Sequence, residues 1–188
     1  MKDPAQERNE VLYRLDLAVT HLEASMSPLF IPDSGASLVY AIKGARDRDG
    51  VAAVPGGIVL CDGKVNAGRP CAFGADEQCA RIVLTAMKFD PLMRSASIVR
   101  FSENALAMFK GMFLECTPID RTQKANGIST MDFGVASCCN DGVPDIIYDL
   151  GGNKKIGIMY IFGEDPVVVT NNIIILSLIH ISEPTRPY

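Results

Sequence analysis

The chain has 188 residues, of which 48% are hydrophobic and 21% charged, and its formal net charge is −4. This composition is typical of one globular domain with a sizeable core, and it excludes a disordered chain. Basic residues are scattered, with no run longer than Lys154-Lys155, which argues against direct binding of nucleic acid. The longest apolar run begins at Ile173 and has about nine residues, which is too few to span a bilayer.

The first ten residues are charged and lack the apolar stretch of a secretory signal. We therefore expect a cytoplasmic protein whose cysteines are reduced thiols. No C-x-x-C pair or nearby histidine pair occurs, so we interpret the six cysteines as small buried hydrophobic residues. No metal site is predicted.

The first third of the chain predicts one helix followed by short strands. Apolar residues recur with helical spacing over residues 6–24, and SLVYA from Ser37 is typical of a buried strand. Asp47 and Asp49 lie in a polar loop that we interpret as a solvated turn rather than a calcium loop. VAAVPGGIVL then contains two β-type runs separated by a bend at residues 55–57.

The rest of the chain alternates between helix and strand. Asp76 can cap a helix that stops before Pro91, and Ser102 can cap another, with Gly111 as its left-handed exit. Asp165-Pro166 is a typical start for a last helix. The other segments are predicted as strands at residues 97–101, MFLECTPID, DIIYDLGG and IGIMYIFG, and as a short helix over about 131–139.

Alternating helices and apolar strands indicate a sheet that is covered on both faces. We predict a three-layer α/β/α domain with a mixed, largely buried sheet. The predicted boundaries are an N-terminal helix in residues 1–27, the α/β domain in 28–176 and a tail in 177–188. The tail, SLIHISEPTRPY, resembles vector-encoded sequence, so it carries no functional interpretation, and neither does its His180.

Candidate ligand-binding residues lie in the loops after the predicted strands, because ligands of α/β sheets bind beyond the carboxyl ends of strands. This rule selects residues 55–57, 73–76, 120–121 and 149–155. FGAD could offer free N–H groups to an anion, or it could be a simple strand-to-helix turn. Arg100, Arg121 and Lys155 could meet phosphate oxygens there, or they could be surface charges. No P-loop, no G-x-G-x-x-G and no histidine suited to nucleophilic catalysis occurs.

Several motifs together resemble the ThiN family, the archaeal-type thiamine-phosphate synthase domain. They are SLVYA, VAAVPGGIV, FGADEQCARIVLTAMKFDP, IVRFS, PDIIYDLGG and FGEDP, and the resemblance covers about residues 22–176. It implies a transferase that joins hydroxymethylpyrimidine diphosphate to thiazole phosphate and releases pyrophosphate. Such a step needs cations and N–H donors around the departing pyrophosphate. Mg²⁺ is expected as a cofactor only if the chain is an active synthase.

The chain departs from the family pattern at polar positions. The pattern has an arginine at Gly57 and a histidine at Gln78, so no catalytic residue is assigned. Further departures are Asp76 for serine, Ser37 and Ile98 for asparagine, Leu150 for arginine, and an altered lysine-glycine turn at 154–157. The resemblance implies ligand binding by the positions that are kept, which are Gly56, Gly74, Ala75, Arg100, Asp120, Arg121, Asp149, Gly151 and Lys155.

Loss of one donor to a developing negative charge costs about 10²–10³ in rate. We therefore predict a domain that binds thiamine phosphate or a phosphorylated precursor without efficient catalysis. One alternative is an active synthase whose missing side chains are replaced, for instance by Arg69 or Lys154. Another is binding of an unrelated small molecule on the inherited fold. The family context suggests a second copy of the chain or a pyrimidine kinase as protein partner.

Overall fold

The computed structural model of the chain describes residues 3–120, 132–152 and 156–182. Its helices are α1 (Pro4–Ser25), α2 (Glu77–Phe89), α3 (Glu103–Gly111), α4 (Phe133–Cys138) and α5 (Pro166–Ser182). Its strands are β1 (Ser37–Ala41), β2 (Val51–Ala53), β3 (Ile58–Cys61), β4 (Lys64–Ala67), β5 (Ala72–Phe73), β6 (Ser95–Arg100), β7 (Cys116–Pro118), β8 (Ile146–Asp149) and β9 (Ile158–Gly163).

Seven strands form one sheet in the order β5-β2-β1-β6-β9-β8-β7, and β3 and β4 form a separate hairpin. The pairing of β7 with β8 is parallel. The other pairings between the named strands are antiparallel, so the sheet is mixed, as predicted.

Helices cover both faces of the sheet. Residues of α1, α3 and α5 form a hydrophobic cluster on one face, and residues of α2 and α4 form a second cluster on the other. The central strand β6 shows the division, since Ile98 belongs to the α2 side and its neighbour Val99 to the α1 side. A strand buried on both faces needs apolar residues throughout, which explains the continuous runs in the sequence. The predicted three-layer α/β/α fold is confirmed.

Capping residues place the helix starts where they were predicted. Asp76 Oδ1 accepts a hydrogen bond from Cys79 N at 2.9 Å, and Asp165 Oδ1 accepts one from Val167 N at 2.8 Å. The short strands β4 and β5 were not predicted, because KVNA is mostly polar and AF has only two residues.

The predicted left-handed exit of α3 at Gly111 is wrong. Gly111 is the last helical residue, and the left-handed residue is Phe113, with φ of 62°. Leu114 N donates to Phe109 O at 3.1 Å and closes the helix around Phe113. Phe113 is 97% exposed, so its ring does not pack against the helix it ends.

Helix α5 continues through residue 182 and so enters the predicted tail. Ser177, the first residue of that tail, is buried, and its Oγ accepts a hydrogen bond from Ser27 N at 2.9 Å. The foreign origin of the tail and the boundaries at residues 27 and 176 stay predictions. None of the helices in the described ranges combines the length and apolar character that crossing a membrane requires.

Candidate functional site

Most of the predicted site loops lie along one edge of the sheet, meaning the side at which the strands begin or end and not an outermost strand. The register pairs Ser37 with Ile98, and it pairs Ile158 with both Arg100 and Asp149. The carboxyl ends of β2, β6, β7 and β8 therefore lie at the same edge as the amino ends of β1 and β9. In a largely antiparallel sheet, carboxyl ends alternate between the two edges, so the rule used for the prediction does not by itself select this edge. The described residues of three of the four selected loops nevertheless lie along it.

The fourth loop, residues 73–76, reaches this edge only at its end. Gly74 N donates to Val51 O at 3.0 Å, which places Gly74 beside the start of β2. A Cβ on Gly74 would lie 3.3 Å from Asp49 Oδ1. Two residues later, Asp76 contacts Ser37 at the start of β1. Gly74 is thus a turn residue next to Asp49 rather than part of the cavity described next.

A cavity of about 290 Å³ lies at this edge, and we call it the acidic cavity. Its lining includes five of the positions at which the chain is predicted to depart from the family pattern, namely Ser37, Gly57, Asp76, Gln78 and Ile98. The remaining lining residues are Ser34, Gly35, Ala36, Val54, Gly56, Ala75, Glu77 and Ile158. Among these residues Asp76 and Glu77 carry charge, and both are acidic.

Asp76 caps the N-terminus of α2 with its side-chain carboxylate. Its Oδ1 accepts from Cys79 N at 2.9 Å, and its Oδ2 accepts from Ser37 Oγ at 2.7 Å. Burial, and after it the charge of Asp76, raises the pKa of the Cys79 thiol well above its usual value. The helix end that could hold a ligand anion is therefore already neutralised by a side chain of the protein.

The turn at residues 55–57 fixes the opposite wall of the cavity. Gly57 N donates to Val54 O at 3.0 Å, and both Gly56 and Gly57 have left-handed backbone, with φ of 74° and 75°. A Cβ on Gly57 would lie 3.0 Å from Ala36 O, whereas a Cβ on Gly56 would meet nothing within 4 Å. A side chain at position 57 would thus be strained by the left-handed backbone and crowded by the Ala36 carbonyl.

A second cavity of about 570 Å³ adjoins the first, and Gly35 lines both. We call it the Arg100 groove, because Arg100 lies against walls made largely of apolar residues of the 28–32 loop and of β3. Arg100 Nη2 donates to Asp33 Oδ1 at 2.7 Å. Arg100 Nε is buried and has no hydrogen-bond partner. The sequence offered little to identify Asp33 and Gly35 as site residues beyond the turn-forming composition of PDSG.

Three other predicted ligand-binding residues, Asp120, Asp149 and Gly151, lie at the same edge but line neither cavity. Asp149 Oδ1 accepts from Gly151 N at 3.0 Å, and Gly151 has φ of 80°, so this pair shapes the turn after β8. Asp120 is exposed and lies two residues beyond the end of β7. Arg121 and Lys155 fall outside the described residues.

The described residues offer no preformed metal centre. No group of three or more His, Cys, Asp or Glu residues in the described ranges could hold an ion, and both oxygens of Asp76 are engaged. The residues that the structure describes therefore do not form a site for Mg²⁺. Arg69, suggested above as a replacement cation, forms an ion pair with Glu23 of α1 and lines neither cavity. Lys154 falls outside the described residues. All six cysteines are free thiols.

The structure defines a three-layer α/β domain with two adjoining cavities at one edge of its sheet. The chain belongs to the thiamine-phosphate synthase ThiN family, whose sequence profile matches residues 14–175. It is 29% identical over 176 residues to the bifunctional thiamine biosynthesis protein ThiDN of Methanocaldococcus jannaschii, covering 92% of this chain and 42% of that protein. It is 26% identical over 148 residues to the thiamine-phosphate synthase ThiN of Methanothermobacter thermautotrophicus, covering 75% of this chain and 78% of that protein.

Solved structures show the same architecture. The C-terminal domain of a phosphomethylpyrimidine kinase superposes with a TM-score of 0.81 at 30% identity, covering 90% of this chain and all of that domain. The C-terminal domain of protein MJ0236 gives a TM-score of 0.83 at 28% identity, with 93% and 97% coverage. The chain thus spans less than half of the bifunctional relative and corresponds to a C-terminal domain in two solved structures.

Proposed function

We propose that this domain binds thiamine phosphate or one of its phosphorylated precursors without catalysing their coupling efficiently. The observation that carries the proposal is the acidic cavity. The positions of the family's arginine and histidine, Gly57 and Gln78, line the same cavity as the carboxylates of Asp76 and Glu77. Of the described residues, no Lys, Arg or His lines it.

The chemistry of the family reaction explains why these substitutions affect catalysis more than binding. When pyrophosphate leaves, negative charge develops on its oxygens, and catalysis requires cations or N–H donors placed before the step. Asp76 already occupies the Cys79 amide at the N-terminus of α2. A carboxylate beside the leaving group opposes the charge that develops there. Binding of a product or precursor needs no such differential stabilisation.

Family membership supports the alternative of an active synthase. A measurement of turnover distinguishes an active synthase from a domain that binds without efficient catalysis. Purified chain would be given Mg²⁺, hydroxymethylpyrimidine diphosphate and thiazole phosphate, and formation of thiamine phosphate would be followed by chromatography. The ThiN protein of Methanothermobacter thermautotrophicus serves as positive control. We expect no product above the rate without protein. Steady product formation in proportion to protein concentration would overturn the proposal.

Binding is measured separately by isothermal titration calorimetry and thermal shift. We expect saturable binding of thiamine phosphate and a midpoint of unfolding that rises with ligand concentration. If neither thiamine phosphate nor a precursor binds, the domain has another ligand, and the unrelated small-molecule alternative is favoured.

A pyrimidine kinase is the proposed protein partner, either on the same polypeptide or as a separate chain. Two relatives, a bifunctional thiamine biosynthesis protein ThiDN and a phosphomethylpyrimidine kinase, support this proposal. Self-association into a homodimer is proposed as the alternative, and sedimentation with and without the kinase distinguishes them.

A further inference from the structure

We infer that the acidic cavity and the Arg100 groove are two halves of one site that selects a zwitterionic ligand, with a permanently cationic ring in the first and a phosphate in the second. The inference rests on the proposed function and names its preferred ligand class. Thiamine phosphate has this chemistry, since its thiazolium is cationic and a short linker carries the phosphate. Thiazole phosphate carries the same phosphate on a neutral ring.

The acidic cavity supplies the half that prefers a cation. Asp76 is half-buried, and its carboxylate accepts hydrogen bonds from Cys79 N and Ser37 Oγ. The carboxylate is therefore already fixed in position before a ligand binds. Glu77 adds a second negative charge, which Arg48 offsets only from an exposed position at 3.4 Å. Opposite charges close to a partly buried site attract far more than they do in bulk water.

The Arg100 groove supplies the half that prefers an anion. Asp33 occupies Nη2 of the guanidinium, whereas the buried Nε is left with no hydrogen-bond partner. The Arg100 side chain as a whole is 35% exposed, so a phosphate that enters the groove can reach the outer guanidinium nitrogens. Nη1 and the N–H of Nη2 that Asp33 does not accept are the donors for charge-assisted hydrogen bonds to it.

The two halves are close enough for one small ligand. Gly35 lines both cavities. On β6, Ile98 lines the acidic cavity and Arg100 lines the groove. These two residues point to the same face and lie about 7 Å apart along the strand. Ile158 pairs with Arg100 in register and lines the acidic cavity, so the two cavities share one stretch of the sheet edge.

The test compares three ligands on the full chain by calorimetry: thiamine phosphate, thiazole phosphate and unphosphorylated thiamine. We expect thiamine phosphate to bind about five- to tenfold more tightly than thiazole phosphate, because the latter lacks the cation. Asp76→Asn should weaken thiamine phosphate and thiamine by about that factor and leave thiazole phosphate unchanged. Arg100→Gln should weaken both phosphates about tenfold and leave thiamine unchanged.

Two further variants guard against effects on folding. Glu77→Gln changes an exposed residue and should reduce the preference for the cationic ligands about twofold to threefold. Glu103→Gln is its matched control, since Glu103 is also an exposed acid in the first turn of a helix but lines neither cavity. Asp132→Asn is the control for Asp76→Asn, because Asp132 caps α4 through Val135 N at 3.0 Å, also away from both cavities.

The outcomes separate this inference from the proposed function. If thiamine phosphate binds but thiazole phosphate binds equally well, or if Asp76→Asn and Glu77→Gln weaken both alike, charge selection is wrong and the proposed function stands. If no phosphorylated ligand of the pathway binds, both fail. A preference for thiamine phosphate that falls only in the two acidic variants of the cavity supports the inference.

Discussion

Gly57, where the family resemblance implies an arginine, has a conformational role of its own at the scale of one residue. The left-handed backbone at this position, with φ of 75°, is unfavourable for any residue with a Cβ. The carbonyl oxygen of Ala36, 3.0 Å from the place of that Cβ, makes it worse. The glycine thus suits the present shape of the turn, and an arginine at this position would strain it.

The neighbouring glycine provides a matched comparison. We expect Gly56→Ala to lower the free energy of unfolding by about 1–2 kcal/mol, since only the left-handed backbone is strained. Gly57→Ala should cost about 1 kcal/mol more, because the added Cβ also displaces the Ala36 carbonyl. Urea denaturation measures both. Equal losses in the two variants would show that the contact with Ala36 relaxes without cost.

At the scale of an element, α1 is tied to the segment between β4 and β5 by acidic side chains. Glu23 Oε1 accepts from Ala67 N at 2.8 Å while its Oε2 pairs with Arg69. Asp16 Oδ1 accepts from Cys71 N at 3.1 Å. Burial first, and then the hydrogen bond to Asp16, raises the pKa of the Cys71 thiol. These contacts make α1 a structural part of the domain, since they hold residues 67–71 against it.

Glu23→Ala tests this attachment. The change leaves the partly buried amide of Ala67 and the Arg69 guanidinium without their acceptor, so we expect a loss of about 1–3 kcal/mol in the free energy of unfolding. Glu10→Ala on the same helix removes an exposed pair with Arg14 and should cost less than about 0.5 kcal/mol. Similar losses for both variants in urea denaturation would contradict a structural role for Glu23.

Local signals decided which elements the sequence could predict. Helices with a capping side chain at the start, such as Asp76 and Asp165, were predicted at the right residues, because a cap is a contact within one turn. The predicted exit of α3 was wrong because glycine is only the most frequent residue in the left-handed conformation after a helix. Here Phe113 takes that conformation. Strand β5 pairs with β2, about twenty residues earlier, which no local pattern reveals. Strand β4 pairs with β3 through the turn at Asp62-Gly63, a local hairpin signal that the prediction missed.

At the scale of the whole molecule, most of the predicted departures from the family pattern lie together. Five of them, at residues 37, 57, 76, 78 and 98, come from four separate segments and line one cavity of about 290 Å³. The sequence could indicate each substitution singly through the family resemblance. It could not show that they share a cavity, because two contacts between distant segments bring them together. These are the pairing of β1 with β6 and the hydrogen bond from Ser37 to Asp76 at the start of α2.

This clustering predicts that introducing an arginine at position 57 and a histidine at position 78 is not sufficient for synthase activity. We expect the double variant Gly57→Arg, Gln78→His to fold less stably and to form no measurable thiamine phosphate from the two precursors. The arginine strains the turn at Gly57, and the carboxylate of Asp76 remains in the cavity. A variant that also carries Asp76→Ser, Ser37→Asn and Ile98→Asn is the informative companion. Turnover by the double variant alone would show that only the arginine and the histidine were lost.

The two outermost strands of the seven-stranded sheet, β5 and β7, have a consequence for how the protein behaves in concentrated solution. In the part of the chain that the structure describes, β5 at one end has two residues, and β7 at the other has three, one of which is Pro118. Proline has no backbone N–H to donate, and so short a strand presents few amides to another chain. Growth of the sheet from one molecule into the next, the first step toward fibrous aggregates, is therefore disfavoured at both ends.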